Sequence, residues 1–149
     1  MRCLPLSAVG AAAPRLVLAL TSERAALEPA RLAVHEFLLP LALSEQTLFN
    51  VELVLEETLM NVVWHAYGDV SGQRIGVLVQ AEPGQIVIEV DDDGIAFNPL
   101  QAADPARPAS ISEARPGGLG LVLVRQLAAT LAYQRQDGRN CLRVSVTRG

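Results

Sequence analysis

Glu56-Glu57-Thr58-Leu59-Met60-Asn61-Val62-Val63-Trp64-His65-Ala66-Tyr67 is the stretch of the 149-residue chain whose reading decides the fold. It forms the second half of a longer helical pattern. Ser44 opens that pattern as an N-cap with Glu45 in the first turn, and Gly68 stops it. At helical spacing Leu48, Val51, Leu55, Leu59, Val62 and Ala66 fall within an arc of roughly 80°, a core-facing stripe. Glu57, Asn61 and His65, each four residues apart, run down nearly the opposite side. Their neighbours Leu53, Val54, Met60 and Trp64 make that side unlike a solvated face. A carboxylate and an amide in apolar surroundings cost free energy unless something pairs them. From this helix alone the simpler reading is a row of polar residues joined by i,i+4 hydrogen bonds, each worth a few tenths of a kcal/mol.

Working outward, residues 15–20 read as a first strand. Residues 23–39 form a helix with Leu27, Leu32, Val34, Phe37 and Leu38 at helical spacing, ended by Pro40. Beyond the long helix, Ile75, Val77 and Val79 alternate with their neighbours, as do Ile86, Ile88 and Val90, with Pro83-Gly84 as the turn between two strands. Residues 98–116 carry Pro99, Pro105, Pro108 and Pro116 and no periodicity, the mark of a mobile lid or an insertion. Gly117-Gly118-Leu119-Gly120 opens a third helix reaching about Thr130. A closing hairpin then pairs 131–135 with 141–147 across Asp137-Gly138. This order predicts an α+β fold, a two-layer sandwich in which a mostly antiparallel sheet is covered on one face by helices. Residues 1–13 are expected to be a flexible N-terminal tail, and 14–149 a single domain. Pro5, Pro14 and Arg15 break the apolar N-terminal run, so no membrane helix is expected there.

Composition narrows the function. Half the chain is hydrophobic, 19% is charged and the net charge is −4. With basic residues scattered and aromatics at 4%, a nucleic-acid surface is not expected. All twelve basic residues are arginine. Without a lysine, Walker-type P-loop enzymes, kinases with a strand lysine and Schiff-base chemistry are excluded. Cys3, Cys141, His35 and His65 do not make a zinc set, and a cytoplasmic location is expected.

Two further clusters carry chemistry. Asp91-Asp92-Asp93-Gly94 closes the second strand of the central pair. Adjacent carboxylates repel and normally sit solvated, and one that points back into the sheet needs a donor. The ligand spacing of a calcium loop is missing. Gly117-Gly118-Leu119-Gly120-Leu121 stands at a helix start, where free N–H groups and the helix dipole suit a phosphate. A plain loop-to-helix junction explains those glycines equally well. Taken in order, a polar helix face, an acidic strand end, a lid and a glycine-rich helix start suit the parts of a nucleotide.

These three segments resemble the boxes of the GHKL ATPases, whose ATP-binding domain has the Bergerat fold. Residues 56–67 resemble the N box. Asp92-Asp93-Gly94-Ile95-Ala96-Phe97-Asn98-Pro99 resembles the G1 box, and Gly117-Gly118-Leu119-Gly120-Leu121 the G2 box. Asn61 with His65-Ala66-Tyr67, Phe97-Asn98-Pro99 and Gly138-Arg139-Asn140 suit the short anti-sigma-factor serine kinases, the RsbW-type branch. The similarity spans residues 15–147.

The resemblance implies ATP or ADP as ligand with Mg²⁺, and assigns roles. Glu57 would be the general base toward a serine hydroxyl, and Asn61 would coordinate Mg²⁺. Asp92 would accept a hydrogen bond from the adenine amino group, and Gly94 would let the base lie against the backbone. Ala96 stands where many members have a second glycine. Gly117, Gly118, Leu119, Gly120 and Leu121 would line the phosphates, with Gly118 and Gly120 cradling them, and Arg107 or Arg115 would supply any cation from the lid. The implied partners are a sigma factor, a STAS-domain antagonist and a second copy of the chain in a homodimer. A nucleotide-dependent binding module without kinase activity is the alternative. A histidine-kinase fragment is not expected, since few residues precede the first strand.

Overall fold

In the computed structural model, residues 13–68, 70–100 and 118–148 are described. The N-terminal tail, nearly all of the lid and Gly117 therefore lie outside the described residues.

Alternation sets the sheet. β1 (Arg15–Thr21), β2 (Arg74–Ala81), β3 (Gln85–Asp92), β4 (Thr130–Gln136) and β5 (Arg139–Thr147) join in the order β1-β2-β3-β5-β4, with every pairing antiparallel. The β4–β5 turn places Asp137 at φ 53° and Gly138 at φ 76°. Positive φ at both central residues suits the strand twist, which explains the Asp-Gly pair. In β3 the even residues Ile86, Ile88, Val90 and Asp92 share one face, because side chains alternate along a strand. The odd residues, ending in Asp91, share the other.

Among the described residues three α-helices cover the sheet: α1 (Leu27–Leu38), α2 (Glu45–Asn61) and α3 (Gly118–Leu127). A single 3₁₀ turn over Arg24–Ala26 precedes α1, so the expected helix over 23–39 is regular only from Leu27. α3 ends at Leu127, three residues before the expected boundary. Ser44 caps α2, its hydroxyl accepting from Thr47 N–H at 3.1 Å. α2 is the hub, contacting α1, α3, β3 and β5. Val34, Val51, Val54, Leu55, Ile75, Val79, Ile86 and Ile88 are fully buried between helices and sheet. Val54 and Thr58 are buried as well as Leu55 and Leu59, so α2 is covered over more of its circumference than one amphipathic stripe. No helix among the described residues is long and apolar enough to cross a membrane.

Candidate nucleotide site

Below Asn61 the helix changes pitch. Val62–Ala66 is a π-helical turn in which Tyr67 N–H bonds Val62 O at 3.1 Å, and Gly68 leaves it at φ +54°. Such widened turns are uncommon and cluster at functional sites. Here the turn aims the Ala66 carbonyl outward, where it accepts from Ile95 N–H at 2.9 Å. The loop after β3 is thereby stitched to the end of α2. A Cβ on Gly94 would lie 2.7 Å from the Ala66 carbonyl carbon and 2.9 Å from its Cβ. Two backbones meet there, so only glycine fits.

The three aspartates separate into three environments. Asp91, on the far face of the sheet, lies across Gly76 and pairs with the Arg139 guanidinium. Asp93 accepts from the Tyr67 hydroxyl at 2.5 Å, while its own N–H donates back to that oxygen at 3.0 Å. Burial and the Asp93 carboxylate both hold the Tyr67 phenol well above its usual range. Asp92 points into the helix–sheet layer and is 2% exposed. Its Oδ1 accepts from Asn140 Nδ2 at 2.9 Å and from Gly94 N–H at 2.9 Å. Burial raises the Asp92 carboxyl above its ordinary value, against the opposing pull of those two donors.

Asn140 organises this corner. Beyond its bond to Asp92, its Nδ2 donates to Ile95 O at 2.7 Å. Its Oδ1 accepts from Tyr133 Oη at 2.5 Å, from Arg135 at 2.9 Å and from Phe97 N–H at 3.4 Å. One amide thus links β5 and β4 to the loop that follows β3. Asn140 was legible in the sequence only through its place in Gly138-Arg139-Asn140. Its work depends on the β3–β5 register, which sets Asn140 opposite Asp92.

Asn61 and Asp92 line one cavity, together with Thr58, Phe97, Tyr133 and Leu142. Asn61 is 4% exposed, and neither its amide nitrogen nor its amide oxygen has a partner among the described residues. Such a pair of orphaned groups is costly and calls for a polar partner, water, an ion or a ligand. The residues present therefore fit a polar ligand, and the oxygen of Asn61 is of the hard type that Mg²⁺ takes. At about 20 Å³ the cavity is closed, far smaller than ligand clefts of ~300–1,000 Å³. Phe97, one of its lining residues, is stacked on His65 with ring centroids 4.6 Å apart and an 11° interplanar angle. Ala96 is exposed and does not line the cavity. A larger groove of about 500 Å³ lies between β1 and α1, but its lining is mainly aliphatic, with Thr21 and Arg74 as the polar contributors.

Glu57 stands one helical turn before Asn61, half-buried where α2 meets α3. Burial, and then the neighbouring Glu56, raise its carboxyl above the ordinary value. Its carboxylate lies against the Gly120 backbone. Leu121 is buried, whereas Gly118 and Leu119 are described only as helical backbone. The lid's beginning is tied to α3, with Arg125 donating to Pro99 O at 2.7 Å.

The structure thus brings Glu57, Asn61, Asp92, Gly94 and Gly120 to one end of the helix–sheet layer. Residues 20–146 match the family model described as histidine kinase-like ATPase domain. A serine/threonine-protein kinase from Bordetella bronchiseptica, BtrW, is 35% identical over 94 residues, spanning 63% of this chain and 66% of that protein. The anti-sigma F factor of Pasteuria penetrans is 31% identical over 111 residues, spanning 74% of each. The matched stretch is thus just under two thirds of the first relative's length. The structure of the SiaB–SiaC complex from Pseudomonas aeruginosa matches with a TM-score of 0.66 at 17% identity, covering 87% of this chain and 88% of that one. The RsbU and RsbW domains of a Mycobacterium tuberculosis protein match at 0.63 and 18%, covering 91% of this chain and 33% of that one. These two show a shared fold. The match over residues 20–146, the two curated relatives and the α+β sandwich place the chain in the histidine kinase-like ATPase domain family, as a GHKL domain of RsbW type.

Proposed function

We propose that this chain is an anti-sigma factor and serine-protein kinase of a cytoplasmic partner-switching module. It binds Mg-ATP, holds a sigma factor inactive and phosphorylates a serine of a STAS-domain antagonist. The observation that carries this reading is the buried Asn61 amide, unpartnered at both polar atoms, in the same cavity as Asp92. Relatives named as a serine/threonine-protein kinase and as an anti-sigma factor support it. A homodimer belongs to the same proposal.

Each residue has a task. Asp92, held by Asn140 and Gly94 through Oδ1, orients its carboxylate toward the adenine amino group. Gly94 brings the loop down onto α2, which shapes the wall against which the base lies. Asn61 holds Mg²⁺, which when bound neutralises phosphate charge. Glu57 accepts the proton of the attacking serine hydroxyl. Its carboxyl, raised by burial and by Glu56, makes it a better base than a solvated glutamate. Gly118, Leu119 and Leu121 belong to the helix start that would meet the phosphates; Gly117, and Arg107 or Arg115 as the lid cation, lie outside the described residues. Phe97 lines the same cavity and stands beside the nucleotide.

The small volume of that cavity also favours a second reading, a catalytically weak or inactive adenine-nucleotide-dependent binding module. Intact mass of a STAS-domain protein from the same genome, after incubation with this chain and Mg-ATP, separates the two. The kinase reading expects a gain of one phosphoryl group, abolished by Glu57→Gln with ATP still bound. ATP binding without any gain supports the binding module.

A further inference from the structure

The resemblance has Gly120 cradle phosphates, yet the space where its side chain would stand is taken by Glu57. A Cβ at position 120 would lie 2.7 Å from Glu57 Cδ and 3.3 Å from Glu57 Cγ, and would collide with Oε2. The side chain that would have to yield is the far end of a flexible glutamate, and not backbone. Gly68, Gly72, Gly84 and Gly138 have open space where a Cβ would stand, Gly94 meets the end of α2, and Gly76 meets the Asp91 carboxylate, which is already paired with Arg139. Gly120 is therefore a glycine whose missing side chain is filled by one carboxylate. That carboxylate is the one the sequence and the mechanism single out.

We propose that Gly120 is a positioning residue for Glu57: the bare backbone of the first turn of α3 is the seat that sets where the carboxylate of the base is held. The inference rests on the kinase reading for its catalytic meaning, while the contact itself stands in the nucleotide-free protein. Its physical basis is steric and local. Glutamate has three side-chain torsions, so a base carried on α2 alone samples many placements, and freezing a long side chain costs free energy. Packing it between α2 and the α3 backbone confines it, and proton abstraction depends on placement to within a fraction of an ångström. The seat also couples the base to the glycine-rich helix start: any movement of α3 that accompanies nucleotide entry moves the wall against which Glu57 rests.

The test is Gly120→Ala in the full chain, alone and combined with Glu57→Asp. Aspartate is one methylene shorter and falls short of the added methyl. The proposal expects Gly120→Ala to lower kcat for phosphotransfer about tenfold, with KM for the STAS-domain substrate and the calorimetric Kd for Mg-ATP each within about threefold. In the Glu57→Asp background the same substitution should change kcat by less than about threefold.

A readout independent of activity uses melting temperature without nucleotide. Gly120→Ala should shift Tm to a lower value in the wild-type background than in the Glu57→Ala background. The helix-favouring effect of alanine is common to both arms and cancels. Loss of Mg-ATP affinity with kcat unchanged would overturn the proposal and make Gly120 a phosphate cradle. Equal Tm shifts in both backgrounds would overturn it as well. If the wild-type chain transfers no phosphoryl group, the kinase reading fails, and the Tm comparison still decides whether Gly120 seats Glu57.

Discussion

At the scale of a single residue, Asp92 is a buried carboxylate whose stability balance follows from its surroundings. Its carboxyl is raised by burial, so folding favours the protonated form. That contribution is complete below the unfolded value and is lost as pH rises through the raised folded value. Above that raised value the buried charge weighs against the fold. Asp92→Asn, whose amide oxygen can still accept from Asn140 and Gly94, should stabilise the free domain by about 1 kcal/mol at pH 7 in urea unfolding. The gain should shrink as pH falls through the raised value. Asn140→Ala should do the opposite, costing roughly 2–3 kcal/mol, because Asp92, Tyr133 and Arg135 lose a shared partner. Unchanged unfolding midpoints in either variant would remove that residue from the account.

Glu57 gives a kinetic counterpart. Its raised carboxyl places the acid limb of the phosphotransfer rate above pH 4.5, with activity lost as pH falls through it and the base becomes protonated. A rate profile flat down to the ordinary glutamate range would contradict the assignment. These residues were legible because each breaks a local rule: a carboxylate and an amide in apolar surroundings, and three adjacent aspartates. The reasons for Gly94 and Gly120 were not legible. One meets the end of α2 and the other meets Glu57, and contacts between distant segments leave no periodic trace.

At the scale of elements, the loop after β3 lines the cavity through Phe97 and Pro99. It is pinned by Ile95 N–H on Ala66, by Phe97 N–H on Asn140 and by the Phe97 ring on His65. His65→Ala should therefore release Phe97, lower stability by about 1 kcal/mol and speed Mg-ATP association several-fold. Stopped-flow association no faster than wild type would show that Phe97 does not gate the cavity. The extent and N-cap of α2 were readable from Ser44, the apolar spacing and Gly68. The π-helical turn was not. Nothing in Val62-Val63-Trp64-His65-Ala66 distinguishes a five-residue hydrogen bond from a four-residue one, and the loop that rewards the wider turn, through Ile95 and Ala66, lies about thirty residues away in sequence.

Across the whole molecule, one core supports both the sheet and the site. Leu55 is fully buried on α2, on the same helix that presents Glu57 and Asn61. Leu55→Ala should cost about 3 kcal/mol and weaken nucleotide binding in parallel, since the helix carrying the site loses its bedding. The architecture was readable from alternation, helix signals and the Asp137-Gly138 turn. The order in which β5 inserts between β3 and β4 was not, because pairing among strands of similar hydrophobicity is decided by the tertiary packing around them. That insertion is what brings Asn140 to Asp92.

The central claim is that the end of α2 and the end of β3 together bind an adenine nucleotide. Calorimetry of Mg-ATP against the wild-type chain and against Asp92→Asn tests it most directly. The account predicts saturable one-to-one binding to the wild type, and a loss of at least about tenfold, ~1.4 kcal/mol, in the variant whose fold is intact or more stable. Absence of binding by the wild type, or equal affinity in the two proteins, would contradict it.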